Sequence, residues 1–151
     1  MARHFCSTGR TRVGYLGPTS SQYGNDKLAG LQAGLESCGL HIEMILACNQ
    51  HETAENQKAY QIFSRYLEQN DPRAVNAWFA HSDIAASDII RALMEHGVRV
   101  PEEVSVCGYN DTLLARKMIP SVSSVASPID EIARMAIELL IHAMDQDNEP
   151  E

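Results

Sequence analysis

The stretch Val100-Pro-Glu-Glu-Val-Ser-Val-Cys-Gly-Tyr-Asn-Asp111 decides how the rest of the chain reads. Gly97 and Pro101 stop the helical pattern before it, since neither residue favours continuing a helix. Val104-Ser-Val-Cys107 is short and mostly apolar, the pattern of a strand covered on both faces. Gly108 then permits a tight turn and sets Asn110 and Asp111 just past the strand's carboxyl end. In open parallel α/β sheets that edge is where ligands bind. Two readings of Asn110 and Asp111 follow: contacts to a small molecule, or caps of the next helical turn, which both residue types make well.

Upstream, the same strand-and-helix rhythm repeats three times. Arg12–Gly17 reads as a first strand, Gly17–Gln22 as a polar loop rich in turn formers, and Tyr23–Ser37 as a helix with Leu28, Leu31 and Leu35 along one face. Gly39 ends that helix, and Ile42–Leu46 makes a second strand. A polar segment, Ala47–Glu52, contains His51. The helix that follows, Glu52–Gln69, carries Ala59, Ile62, Phe63, Tyr66 and Leu67 as its inward stripe. Asp71-Pro72 breaks the chain before a third strand, Val75–Ala80, which ends in His81-Ser82-Asp83. Ile84–His96 is then a third helix, with Ile89, Ile90, Leu93 and Met94. This β-α-β-α-β-α-β order predicts an α/β fold with three α/β/α layers and a mainly parallel sheet joined by right-handed crossovers.

The rhythm changes after Asp111. Thr112–Ile119 reads as an irregular helical turn before Pro120, and Ser121–Val125 as a short fifth strand. Pro128 opens a helix through Met144, where an early proline is well placed; Asp145–Glu151 is an acidic tail. At the other end, Ala2–Ser7 has the pattern of a helix end closed by Gly9. It is too short to stand alone, so the chain is expected to begin partway through a larger fold.

Composition narrows the function. The chain has 151 residues, 44% of them hydrophobic, enough for one domain with a real core. Its formal charge is −8, from 12 basic and 20 acidic residues, which argues against gripping nucleic acid unaided. No apolar run approaches membrane-spanning length, and the first residues lack the apolar core of a secretory signal. Cys6, Cys38, Cys48 and Cys107 are scattered with no CxxC pair, so a reducing cytoplasm fits better than a disulfide framework or a zinc site.

Few motifs carry chemistry. Gly17-Pro-Thr-Ser-Ser-Gln-Tyr-Gly24 is neither a GxGxxG fingerprint nor a phosphate loop, although its hydroxyls suit a polar ligand near a helix N-terminus as well as a solvated loop. Lys27 lies one turn into the next helix, where it either faces the sheet's carboxyl edge or is a solvated charge. His81-Ser82-Asp83 cannot be a catalytic relay, because nucleophile, base and orienting group must converge from separate segments. Ser82 and Asp83 stand where a helix N-cap belongs. Trp78 and Phe79 are core residues, or one ring stacks on a ligand's apolar face. No GxSxG elbow and no HExxH pattern occur, so no catalytic group, metal or cofactor is expected.

Together these pieces resemble the LacI/GalR family of transcriptional regulators, in their effector-binding region. Thr8-Gly-Arg-Thr-Arg-Val-Gly-Tyr-Leu-Gly17 is similar to the family's "LGHxRIGxIG". Lys27-Leu-Ala-Gly-Leu-Gln-Ala-Gly-Leu35 is similar to its "RxxGxxxAL" helix. Phe79-Ala-His-Ser-Asp-Ile-Ala-Ala86, continuing to Pro101, resembles "FAxNDxxAxGxxxALxExGxxVP". Glu103–Asp111, continuing through Pro120 and Pro128, resembles "DVSVxGFDDxxxAxxxxPxLTTVxxP". The last of these is highly specific.

The resemblance implies a periplasmic binding protein type I-like fold, two α/β subdomains with the effector between them. Residues 10–118 would form mainly the C-terminal subdomain; about 119–144, strand and helix, would cross to the N-terminal one. The implied function is a cytoplasmic ligand sensor whose cleft closure sets DNA affinity. Its effector would be a sugar-like or nucleoside-like molecule, its assembly a homodimer, and operator DNA would be held only by a headpiece absent from this sequence. By the same resemblance the ligand-binding residues are Tyr23, Lys27, Phe79, Ser82, Asp83, Asn110 and Asp111. Three depart from the family pattern: Lys27 stands for arginine, Ser82 for asparagine and Asn110 for aspartate. Losing the arginine removes planar bidentate hydrogen bonding. Competing readings are a periplasmic sugar-binding component of a transporter, which needs a signal peptide, and an enzyme on the same scaffold, which needs an activated nucleophile or phosphate loop.

Overall fold

The computed structural model describes residues 1–48 and 58–146. In order these form α1 (Ala2–Ser7), β1 (Val13–Gly17), α2 (Gln22–Glu36), β2 (Ile42–Ala47), α3 (Lys58–Leu67), β3 (Ala77–Ala80), α4 (Asp83–Glu95), β4 (Ser105–Asn110), α5 (Leu113–Lys117), β5 (Ser123–Ala126) and α6 (Ile129–Gln146). The expected start of α3 at Glu52, the polar segment around His51, and the end of the acidic tail lie outside the described residues.

The strands pair in the order β2-β1-β3-β4-β5, and every neighbouring pair is parallel. The α/β reading with its parallel sheet therefore holds. β1 and β3 are buried at every position, as central strands between two helical layers should be. Edge strand β2 instead alternates, with Ile42, Met44 and Leu46 half-buried and Glu43, Ile45 and Ala47 exposed.

Each face carries its own core. On one, Phe5 of α1 and Leu31 and Leu35 of α2 pack over Val13, Tyr15, Phe79 and Cys107. On the other, Phe63 of α3 and Ile89 and Leu93 of α4 pack over Leu16, Trp78 and Ala80. Trp78 meets Phe63 edge-on at 4.9 Å and Tyr66 at 5.4 Å. The glycine stops work as expected: Gly39 and Gly97 take φ of 73° and 71°. Leu40 N–H then reaches back to Leu35 O and Val98 N–H to Leu93 O, which satisfies the last carbonyls of α2 and α4.

Two expectations need correction. β4 does not end at Cys107 with a turn at Gly108; it runs on through Asn110. Gly108 is needed for space rather than turning, since a Cβ there would stand 2.3 Å from the Asp83 carboxylate. The turn falls on Asn110 and Asp111 themselves, with φ of 102° and 54°. The second concerns the chain after Pro120, whose strand and helix were both expected in another subdomain. The strand instead pairs with β4 in this sheet, Cys107 opposite Ser123 through Asn110 opposite Ala126. Only α6 stands clear: its residues from Ile129 to Met144 are exposed, with Ile132, Met135, Leu139 and Leu140 among them.

Candidate ligand site

Strand order reverses at β1: β2 lies on one side and β3 on the other. The carboxyl ends of β1 and β3 thus flank a topological switch point, where open α/β sheets hold ligands. A concavity of about 460 Å³ opens there on the α1/α2 side, walled by Tyr23, Lys27, Phe79, Tyr109 and Val125 and bordered by Asp26.

Lys27 organises this concavity. Its Nζ donates to His81 O at 2.9 Å, lies 3.6 Å from the centre of the Tyr109 ring, and 4.0 Å from that of Tyr23. A carbonyl and two ring faces thus surround the ammonium, which sets the rings by cation–π attraction. Burial pulls the Lys27 pKa down to about 8. Because the folded value lies below the ordinary 10.5, unfolding takes up a proton between those two pH values, and stability rises with pH across the window. Urea unfolding of the wild type and of Lys27→Met at pH 7.5 and 9.5 should show the wild type gaining on the variant as pH rises. A constant difference would contradict this arrangement.

The other expected ligand residues divide by task. Phe79 is 4% exposed and lies at the floor of the concavity, its ring 6.1 Å from Tyr15. Ser82 caps α4, its Oγ accepting from Ala85 N–H at 3.1 Å. Asp83 is 1% exposed and turned inward. It accepts from Thr112 N–H at 2.6 Å, Thr112 Oγ1 at 2.7 Å and Ser124 Oγ at 2.5 Å. One carboxylate therefore joins the start of α4, the exit of β4 and strand β5.

Asn110 and Asp111 follow neither of their two readings simply. Neither caps α5, whose N-cap is Thr112 and has no side-chain cap bond. Instead both adopt the left-handed backbone that Asn and Asp tolerate better than most residues. Asp111 N–H donates to Ser124 Oγ at 2.9 Å, and the Arg116 guanidinium grips the Asp111 carboxylate at 3.1 and 2.5 Å. That pairing holds the Asp111 pKa below its ordinary value. The Asn110 side chain is exposed, with Ser127 Oγ 3.4 Å from its Oδ1.

The structure thus brings Tyr23, Lys27 and Phe79 together, sets Ser82 to capping α4, and sets Asp83 and Asp111 to holding the exit of β4 against β5. Tyr109 is the wall residue that the sequence reading missed. Its signal was there: two residues beyond Cys107, it shares the α1/α2 face of β4. No group of three or more potential metal ligands occurs among the described residues. No described helix is long and apolar enough to cross a membrane.

Comparison with known proteins fits this geometry. The model of the periplasmic binding protein-like domain matches residues 2–151. The HTH-type transcriptional regulator DegA of Bacillus subtilis (strain 168) is 29% identical over 132 residues, 87% of this chain and 38% of that protein. A regulatory protein of the LacI family from Chloroflexus aggregans superposes with a TM-score of 0.82 at 28% identity, over 98% of this chain and 52% of the other. A complex of the transcriptional regulator CelR with cellobiose gives 0.83 at 25% identity, over 98% and 44%. The chain spans about half or less of each relative's length.

Proposed function

The chain belongs to the periplasmic binding protein-like domain family, and from that premise we propose that it is the effector-sensing part of a LacI-type transcriptional regulator. The observation that carries this reading is the aromatic-walled concavity beside the β1/β3 switch point, with Lys27 setting Tyr23 and Tyr109 around it. Ring faces suit the apolar face of a sugar or a nucleoside base, while Asp26 at the border offers acceptors to hydroxyl or amino groups. Relatives of this chain are regulators, and one is bound to cellobiose, which supports a small polyhydroxylated effector.

In the intact protein a second lobe would complete the cleft. Residues 10–118 and the β5 strand form one lobe, and α6 crosses to the other, which gives its exposed Ile132, Met135, Leu139 and Leu140 a surface to cover them. The effector then acts by binding the closed arrangement more tightly than the open one, since a ligand shifts an equilibrium only by its difference in affinity. DNA binding falls to a segment outside these residues, in keeping with the charge of −8. A homodimer in the cytoplasm is the assembly this reading implies.

The test is calorimetric titration of the intact regulator with cellobiose, ribose, lactose and a set of nucleosides. One class should bind, and Phe79→Ala or Tyr109→Ala should weaken it at least about tenfold with the circular dichroism spectrum unchanged, as expected for a lost stacking face. Binding indifferent to both substitutions, or turnover of the added compound, would reject the assignment.

A further inference from the structure

Two of the four cysteines stand away from the concavity, at the seam between α1 and α2. α1 leads into β1 and α2 follows it on the same face of the sheet, so both helices run against the strand and parallel to each other. They touch closely near Ala2 and Gly34, where a Cβ on Gly34 would be 2.7 Å from that of Ala2. Cys6 stands one turn on from Ala2 on the same face of α1, and Cys38 lies just past the end of α2, four residues on from Gly34. The closing turn of α2, with Cys38 N–H on Leu35 O at 2.8 Å, keeps Cys38 at this level.

We propose that Cys6 and Cys38 form a peroxide-sensitive dithiol that closes to an intramolecular disulfide and staples α1 to the end of α2. Further observations support the pairing. The Cys6 pKa is raised, and the first cause is its hydrogen bond with the Cys38 side chain, ahead of burial. Cys38 is exposed and Cys6 half-buried, so an oxidant reaches the former first. The other two thiols are buried, and burial pushes that of Cys107 up to about 12, out of reach of thiolate chemistry at neutral pH.

The chemistry balances with hydrogen peroxide as oxidant. The Cys38 thiolate attacks one peroxide oxygen, the O–O bond breaks, and a sulfenic acid and hydroxide form. The Cys6 thiol then attacks the Cys38 sulfur, the S–O bond breaks, and the thiol proton leaves with the departing oxygen as water. With the two thiol protons, the products are one disulfide and two waters. The staple would tie down α1, whose first residues, Met1 and Ala2, border the concavity that Tyr23 and Lys27 of α2 also line.

The experiment treats the full chain with hydrogen peroxide, blocks remaining thiols with iodoacetamide, and reads intact mass and tryptic peptides. Expected are a reducible monomer lighter by about 2 Da before blocking, and a Cys6–Cys38 cross-linked peptide. Its melting temperature should rise by on the order of 10 °C, because the bond closes a loop of about 30 residues. Cys38→Ser should abolish both effects. Alkylation of Cys6 and Cys38 after peroxide, a disulfide through Cys48 or Cys107, or only Cys38–Cys38 dimers between chains would each overturn the proposal.

Discussion

Asp83→Ala is expected to lower the unfolding free energy by about 3–5 kcal/mol, read as a fall in the urea midpoint with the slope unchanged. The carboxylate is buried and accepts from Thr112 N–H, Thr112 Oγ1 and Ser124 Oγ. Alanine leaves three donors without that partner and opens space against Gly108, which lacks a side chain to fill it. Asn is the informative control. Its amide oxygen can keep the Thr112 pair, and its NH2 can donate to the Ser124 hydroxyl, so Asp83→Asn should lose only about 1–2 kcal/mol. A loss below about 0.5 kcal/mol for the alanine variant, as at ordinary surface positions, would show that Asp83 does not hold the strand ends. Thr112 follows the left-handed pair Asn110 and Asp111, whose backbone is worth about 1–3 kcal/mol of strain per residue. Loss of the pin should therefore also loosen the turn out of β4.

Trp78→Ala should cost a similar amount, about 3–5 kcal/mol, by a different mechanism. The indole is fully buried on the α3/α4 face, and the edges and faces of Phe63 and Tyr66 meet it at 4.9 and 5.4 Å. Truncation removes the largest buried side chain and leaves a cavity that two aromatic rings on one helix cannot close together. Trp78→Phe keeps a ring in place and should lose roughly half as much or less. Trp78 is the single tryptophan, so both variants must be followed by circular dichroism rather than indole fluorescence. Equal stability of Trp78→Ala and the wild type would place the core elsewhere.

Most of the architecture was legible because it rests on local chemistry. Arg12–Gly17 and Val75–Ala80 read as strands and contain β1 and β3, and the order of elements implied parallel pairing. The helix stops at Gly39 and Gly97 needed only a residue that accepts a positive φ. β4 was read too short because Gly108 has two possible uses. A glycine that grants a turn and one that makes room for a neighbour look alike in sequence, and Asp83 lies 25 residues upstream.

The site divides along the same line. The sequence by itself determined which residues lie near the carboxyl edge, since strand ends and loops set that: Tyr23, Lys27, Phe79, Ser82, Asp83, Asn110 and Asp111 all fall there or within a turn of it. It also determined that Ser82 suits an N-cap, a property of one side chain and the next three backbone amides. Only the tertiary structure decided direction. Asp83 turns inward because three donors from two later segments meet it, and Lys27 faces the concavity because the His81 carbonyl and the Tyr109 ring arrive from β3 and β4. Each of those partners lies from 29 to 82 residues away in the chain. Local propensity sets where a side chain starts; where it points depends on contacts that exist only once the sheet has brought distant strands side by side.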